Sequence, residues 1–524
     1  MEPHDRKGVP MACESDGVER EVKFGVGPSF VLPDLGDAST GTASLPDQEL
    51  RAEYLDTGDR RLWRQDITLR FRTGEHAGRG TWTLKLPAAG SGPTLDRIEL
   101  SWPGSRDSFP TEAAEILRGL LRGSSLDRLV ELVTTRRRLA LHDAHGAKWG
   151  ELDDDTVAVI GGPRNGLRFR QIELELTPDG RSELDRVMEK LAEAGAIVDN
   201  QPKVAIALGR AGSASADDRA PIDGRASLGD VIQASIAGAL DRILENDYRL
   251  RLDPSDPPPH SVHHGRVATR RLRSDLKTLG PVLNAEWTAH IRAELQWLGE
   301  AFGRVRDADV LARHLSDART ALSEDAEGID ELSQRLADQR HTASRQLAEA
   351  LDSTRYLDLL DQLHTAVRAA PFASTGRPER SSPDPRVTDP ARRALPPLVR
   401  TGWRALRRKV DRAGSQPSDV ELHRIRIAAK QVRYAAEMAA PVIGEPARLT
   451  AAAAGQLQTV LGNHQDAVMA IQWLRRQGLA GSPAAGFAAG LLTAQQYGRQ
   501  EELRCQWRPV CDGLDSKKAR GWIS

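Results

Sequence analysis

Glu19, Glu21 and Lys23 occupy alternate positions in the stretch Val-Glu-Arg-Glu-Val-Lys-Phe. Side chains on a β-strand alternate between faces, so these three charges share one face while Val22 and Phe24 take the other. Two carboxylates beside an ammonium suit a site that holds a divalent cation against a polyanion. A single strand of this kind could simply face water. The spacing recurs, however, at Arg70 and Arg72, Thr83 and Lys85, Arg97 and Glu99, Arg136 and Arg138, and Glu173 and Glu175. Leu69, Phe71, Trp82, Leu84, Ile98, Leu100, Ile172 and Leu174 are interleaved. A wet face mixes Thr, Ser, Gln and Lys, whereas repeated Arg and Glu predict strands closed into a barrel with the charged face turned inward.

The chemistry follows from a ligand that needs both signs. Lys23, Arg70, Arg72, Lys85, Arg97, Arg136 and Arg138 would grip a highly negative substrate, guanidinium forks taking oxygens in pairs. Glu19, Glu21, Glu99, Asp153, Glu173 and Glu175 would repel it unless they held Mg²⁺ or Mn²⁺, hard cations that bridge carboxylates to phosphates. A condensed phosphate chain with metal fits best, its charge neutralised while water attacks in line.

These residues resemble the CYTH family, the triphosphate tunnel metalloenzymes. The Glu-x-Glu-x-Lys signature falls at Glu19, Glu21 and Lys23. Tyr54-Leu55-Asp56-Thr57, Leu69-Arg70-Phe71-Arg72, Thr83-Leu84-Lys85, Arg97-Ile98-Glu99 and Glu173-Leu174-Glu175 follow in order, and a lysine after the last helix falls at Lys203. The resemblance implies an eight-stranded antiparallel β-tunnel with flanking helices and a divalent cation. It also implies one of the family's activities: inorganic, thiamine or RNA triphosphatase, or class IV adenylate cyclase. Lys203 would join the arginines on substrate, and Lys23 or Lys85 would help orient the nucleophile.

Wider features set the frame. With 524 residues the chain is too long for one core, and its formal charge of −1 points to no partner. Its three cysteines, Cys13, Cys505 and Cys511, form no disulfide or zinc pattern, which favours a reducing compartment. Neither a signal-peptide h-region nor a run near the ~20 apolar residues of a membrane span occurs. We therefore expect a cytoplasmic protein, associated with polyphosphate granules if its ligand is polyphosphate.

Period-two patterning dominates residues 16–208, with helical stretches near Thr111–Leu121 and Arg181–Ala194. Residues 209–227 have the composition of a flexible linker. Beyond them, 228–513 read as an all-α region, divided by a Pro- and Ser-rich break into halves near 228–370 and 391–513. The halves look duplicated: Val262-His263-x-x-Arg266-Val267 recurs as Leu422-His423-x-x-Arg426-Ile427, and Gly303-x-x-x-Asp307 as Gly462-x-x-x-Asp466. A duplicated helical bundle is predicted.

His263, Arg266, Arg270, Arg273 and Lys277 form one helical stripe, repeated as His423, Arg426, Lys430 and Arg433. Asp307 and Asp466 are plausible tethers. Two such stripes facing across a pseudo-twofold axis would make a basic channel, aided by Arg400, Arg404, Arg407, Arg408 and Lys409. The pattern is similar to the CHAD family, with Lys430 and Gln431 replacing two arginines of its motif. That resemblance implies binding of inorganic polyphosphate. Aromatic residues are 4% of the chain and none interleaves the stripe, which disfavours nucleic acid. The expected activity is hydrolysis of inorganic triphosphate in the tunnel with polyphosphate bound by the helices. The alternatives are a non-catalytic polyphosphate-binding protein, a cyclase or a thiamine triphosphatase. Oligomeric state is not legible.

Overall fold

The computed structural model describes residues 14–36, 40–76, 79–87, 95–177, 181–209, 221–372, 387–515 and 517–523. It divides into two compact units, residues 1–218 and 219–524. Residues 210–220, most of the expected linker, lie outside the described residues, as do Cys13 and residues 373–386 of the expected break.

The first unit is built on nine strands: β1 (Glu14–Val26), β2 (Thr40–Asp56), β3 (Thr68–His76), β4 (Arg79–Pro87), β5 (Leu95–Gly104), β6 (Asp127–Asp143), β7 (Lys148–Ile160), β8 (Arg168–Leu176) and β9 (Ile197–Val198). Their order is β5-β4-β3-β2-β6-β7-β8-β1-β9, and β1 also pairs with β5. Eight antiparallel strands therefore close on themselves, as expected. The ninth, only two residues long, extends one edge by pairing with Phe24 and Gly25. Closure requires that β1 serve two partners: Glu14–Glu21 pair with β5 and Glu21–Val26 with β8.

Alternation decides which face is which. Val22, Phe24, Leu152, Ile172 and Leu174 point outward and bury themselves under Leu184, Val187 and Leu191 of helix α3 (Arg181–Glu193). Two short helices, α1 (Thr111–Ile116) and α2 (Arg118–Leu121), lie between β5 and β6. Helix α4 (Lys203–Leu208) inserts Val204, Ala207 and Leu208 among Ala52, Tyr54, Val130, Leu132, Val157 and Val159, lumen-facing residues of β2, β6 and β7. This apolar cluster plugs the part of the lumen lined by β2, β6 and β7, next to the charged positions of the same strands.

In the second unit α5 (Leu228–Leu252), α6 (Pro259–Leu279), α7 (Ala285–Ala321) and α8 (Ala326–Asp352) have 25, 21, 37 and 27 residues. After α9 (Thr354–Arg368), the series α10 (Ala391–Arg412), α11 (Asp419–Ile443), α12 (Glu445–Ala480) and α13 (Pro483–Asp512) repeats it with 22, 25, 36 and 30. Ser227 and Ser418 cap α5 and α11 with capping boxes to Asp230 and Glu421. The repeats interlock: Leu311, Leu315, Ile329, Leu332, Trp473, Leu474, Ala485 and Ala488 from α7, α8, α12 and α13 share one core. The unit runs past residue 513, because Leu514 and Ile523 join Leu422, Ile425 and Trp507 in a second core and α14 (Lys517–Arg520) packs on α12. No helix of the described residues is long and apolar enough to cross a membrane.

Candidate functional site

Glu173 on β8 is the focus of the lumen. Lys23 lies directly opposite it on β1 and bonds its carboxylate. Lys203 Nζ, from the first residue of α4, stands 2.5 Å away, and Arg136 of β6 reaches it at 3.1 Å. Burial would raise the pKa of Glu173, but Lys203, Lys23 and Arg136 outweigh it and hold the carboxyl well below the usual range. Burial likewise opposes the charge on Lys23, yet Glu173 and Glu21, the latter at 2.6 Å, raise its pKa. Both groups are therefore ionised throughout the neutral range.

Arg136 does more than touch Glu173. Its Nε and Nη2 donate to the two oxygens of Asp155 at 2.8 and 2.7 Å, and it also pairs with Asp153. Strand register causes this, since Asp155 faces Arg136 and Asp153 faces Arg138 across β6 and β7. Arg138 in turn donates to Glu151 at 2.7 Å. Asp155, fully buried, also accepts from Lys203 at 2.8 Å. Glu151 and Asp155 escape a motif reading because three consecutive aspartates hide their period of two; the alternation Glu151, Asp153, Asp155 is the signal that finds them.

The facing wall is basic. Arg70 and Arg72 of β3 lie opposite Tyr54 and Ala52 of β2. Lys85 Nζ is 2.8 Å from Glu99, with Arg70 at 3.8 Å from the same carboxylate. Arg72 pairs with Glu75. Burial and the neighbouring Arg70 lower the pKa of Arg72. The buried Nε atoms of Arg70 and Arg72 have no hydrogen-bond partner, so this wall carries donor capacity that the chain itself does not use. Tyr54 is a further lumen residue: burial would raise its pKa, but Arg70 and Lys203 lower it. Arg97 is held at the edge of this wall, donating to the Asp66 carbonyl at 2.5 Å and to its carboxylate at 2.9 Å.

Of the six acids expected to ligate metal, Glu21, Asp153, Glu173 and Glu175 share the acidic wall, while Glu99 stands among the bases. The Glu19 side chain lies outside the described residues; its backbone pairs with Arg97. Among the described residues no three His, Cys, Asp or Glu side chains form a ready-made metal cage, because Lys23 and Arg136 are interposed. Two carboxylates are nevertheless held with their charge disfavoured, although Arg138 Nε lies 3.9 Å from Asp153 Oδ1. Asp153 Oδ1 is buried with no hydrogen-bond partner, and burial, opposed by Arg136 and reinforced by Glu175, pushes Asp153 up to about 7. Burial also raises Glu175, with Glu173 and Glu21 adding to it against Arg136. Oxygen donors left in this state suit a hard divalent cation.

In the helical unit, α6 and α11 bring the two stripes to one cavity of about 970 Å³. His263, Arg266 and Arg270 line it from one repeat, and His423, Arg426 and Lys430 from the other. Gly265 permits the close packing of α6 on α7: a Cβ there would stand 2.5 Å from the Phe302 ring. Arg266 donates to Asp307 at 2.7 Å, whereas in the second repeat His423 Nδ1 pairs with Gln465 at 2.7 Å. Asp466 attracts Arg426 without a direct bond among the described residues. The buried Nε atoms of Arg270 and Arg426 have no partner. Lys430 is pushed down to about 6 by burial and by Arg270, Arg426 and Arg266.

The cavity takes only part of each stripe. Arg273 and Lys277 do not line it; they lie ~15 and ~21 Å along α6 from His263 at the helical rise, where Lys277 neighbours Arg292 and Lys409. Arg433 instead donates to Glu437 at 2.7 Å and lines a separate groove. The basic residues of α10 do not line the cavity either: Arg400 donates to the Ile523 carbonyl and Arg407 to Asp411. Stripe reasoning missed Arg304, His314 and Arg476, which do line it. Their signal was spacing on the long helices, Arg304 and His314 lying three before and seven after Asp307.

Comparisons with known proteins agree with this division. A CYTH domain model matches residues 18–201 and a CHAD domain model residues 234–475. The chain is 32% identical to an uncharacterised protein of Mycobacterium tuberculosis, Rv2226, over 96% of this chain and 98% of that one. Among solved structures, the CHAD domain of Ricinus communis aligns at 24% identity and a TM-score of 0.44, covering 57% of this chain and 95% of its own. An adenylyl-cyclase-type protein from Hippeastrum, for which a dominant triphosphatase activity is described, aligns at 17% identity and a TM-score of 0.24, covering 37% and 96%.

Proposed function

Because this chain belongs to the CYTH and CHAD families, carrying one domain of each, we propose that it hydrolyses inorganic triphosphate in its barrel and binds polyphosphate through its helical unit. The observation that carries the reading is the opposition of two walls in one lumen. Arg70, Arg72 and Lys85 present donors to a chain of phosphates, and Asp153, Glu173 and Glu175 face them. Asp153 and Glu175, with Glu21 and Glu173 beside them, would hold Mg²⁺ or Mn²⁺. Such a bound ion supplies Lewis acidity on phosphoryl oxygens and a more acidic water.

The chain's own residues account for the rest. Arg70 and Arg72 bind and orient the terminal phosphoryl groups, and their charge offsets that building on the transferred group. Lys203 and Arg136 keep Glu173 and Asp155 ionised and in place. Lys23, protonated and bonded to two carboxylates, is a positioning residue and not a general base. The apolar side chains of α4 lower the local dielectric beside these charges, strengthening their interactions.

To test it, phosphate release from tripolyphosphate is measured with Mg²⁺ or Mn²⁺ beside ATP and thiamine triphosphate. We expect tripolyphosphate to turn over fastest and Arg72→Ala to lose most of that rate. Absence of turnover in the wild type, or full turnover in Arg72→Ala, sinks the assignment. A second reading is non-catalytic docking, favoured by the ion pairs that already engage Glu21, Glu99 and Glu173; it predicts binding of tripolyphosphate without phosphate release. A cytoplasmic location with attachment to polyphosphate granules accompanies either reading, and imaging of a fluorescent fusion tests it.

A further inference from the structure

Beside the central cavity of the helical unit lies a second, of about 1050 Å³. His263 and Arg306 line both, so the two spaces meet at that pair. The second belongs to the first repeat alone, its walls drawn from α6 (His260, His263), α7 (Arg306, Arg313) and α8 (Arg340, His341). Asp256 and Asp309 also line it, but Arg340 engages both, with Nη1 2.5 Å from Asp256 and Nε 2.8 Å from Asp309. Among the described residues Arg306, half-buried, and Arg313, exposed, make no ion pair, and burial together with Arg313 lowers the pKa of Arg306 against the attraction of Asp309. With Arg340 drawing Asp256 and one oxygen of Asp309 to itself, the cations lining this space outnumber its acids, and such a surplus attracts an anion from outside the chain.

Among the described residues the second repeat is built differently at the equivalent place. Where the first has Arg306, the second has Gln465, consumed by its bond to His423. Where α6 begins with Pro259, α11 begins with Asp419, which binds Arg504 and accepts from Gln500 at 3.0 Å with His464 at 3.3 Å. That network pairs the acid and base at the equivalent start of α11 with each other. In the first repeat the central cavity thus continues into a second space, while at the equivalent start of α11 the charged groups engage one another.

We propose that the two cavities form one track for a condensed phosphate chain, which leaves the central cavity over His263 and Arg306 and continues along Arg313 and His341. This rests on the polyphosphate-binding reading of the helical unit and adds direction and length selectivity to it. A short oligophosphate fills the central cavity alone; a long chain occupies both.

Arginine labelling of the full chain with phenylglyoxal, read by peptide mass spectrometry, separates the cases. We expect Arg426 to be protected by short and long chains alike, and Arg313 by the long chain only. Arg313→Glu should weaken long-chain affinity about tenfold, the scale of one lost charge-assisted contact, with short-chain protection of Arg426 unchanged, which also reports that the variant is folded. Protection of Arg426 without any effect at Arg313, or equal protection of Arg313 by the short chain, overturns the track. Failure of both chains to protect Arg426 would instead overturn the polyphosphate reading beneath it.

Discussion

Lys203 Nζ lies 2.5 Å from Glu173 and 2.8 Å from Asp155, so the helix that plugs the barrel also delivers a cation to its deepest acids. Filling of the lumen and its electrostatics are thereby one device. Replacing Lys203 by Met keeps the stem that packs at the plug but removes the charge. Loss of one charge-assisted contact of ~2–3 kcal/mol corresponds to a fall in kcat/KM of about 30- to 160-fold on tripolyphosphate. Lys203→Arg should recover part of it. Near-wild-type kinetics in Lys203→Met would show that the ammonium matters only to folding.

Glu175 lies opposite Glu21 in the β1–β8 register, and burial already disfavours its ionised form. A group in that position gains most from a divalent partner. Glu175→Gln should therefore raise the Mg²⁺ or Mn²⁺ concentration needed for half-maximal turnover at least tenfold, more than it lowers the rate at saturating metal. The metal-induced rise in Tm should shrink in parallel, an outcome readable without any turnover. An unchanged metal requirement removes Glu175 from the ligand set.

Much of the barrel was legible because charge alternates with period two over long strands, and a one-residue register slip would turn every charge to the wrong face. Alternation alone places Lys23, Glu173 and Arg136 on one face, whereas the run Asp153-Asp154-Asp155 hides its own period. What alternation does not encode is which acid each base takes. The pairing of Lys203 with Asp155, or of Arg97 with Asp66, depends on a helix and a loop whose positions are tertiary. In the helical unit the stripe was visible but its length along the cavity was not, since helical periodicity reports direction around an axis and not where a neighbouring helix ends. Arg273, Lys277 and Arg433 were grouped with the site for that reason.

Asp275 of α6 is fully enclosed, accepts a hydrogen bond from Ser235 Oγ at 2.9 Å, and has an unpartnered second oxygen. Burial pushes it up to about 7, with Arg271 and the Ser235 bond opposing. For an acid whose folded pKa is raised, the folded state holds more protons between ~4 and ~7, so stability falls as pH climbs through that window. The loss by pH 8 is ~4 kcal/mol at most, from a shift of about three units. Asp275→Asn keeps the acceptor and removes the titration. Its Tm should match the wild type at pH 4 and exceed it at pH 8. Equal pH dependence of the two proteins would place Asp275 in contact with water or ionised without cost.

Lys430 occupies the position that Arg270 holds in the first repeat, and the substitution changes what the cavity does with protons. Burial first, then Arg270, Arg426 and Arg266, with Asp466 opposing, push its ammonium down to about 6, so the amine is mostly neutral at pH 7.5. A phosphate chain lying over it would restore its ordinary pKa and draw in up to one proton on binding. At pH 5 the group is charged with or without ligand and contributes no uptake. Affinity for polyphosphate should therefore fall as pH rises from 6 to 8. Titration calorimetry in two buffers of different ionisation enthalpy measures the uptake directly. Lys430→Arg, always charged, should bind polyphosphate with proton uptake lower by up to one at pH 7.5 and unchanged at pH 5. His263 and His314, both lowered by burial and neighbouring arginines, supply whatever uptake persists in that variant. Full uptake retained in Lys430→Arg would assign the linkage to those histidines and leave Lys430 as packing.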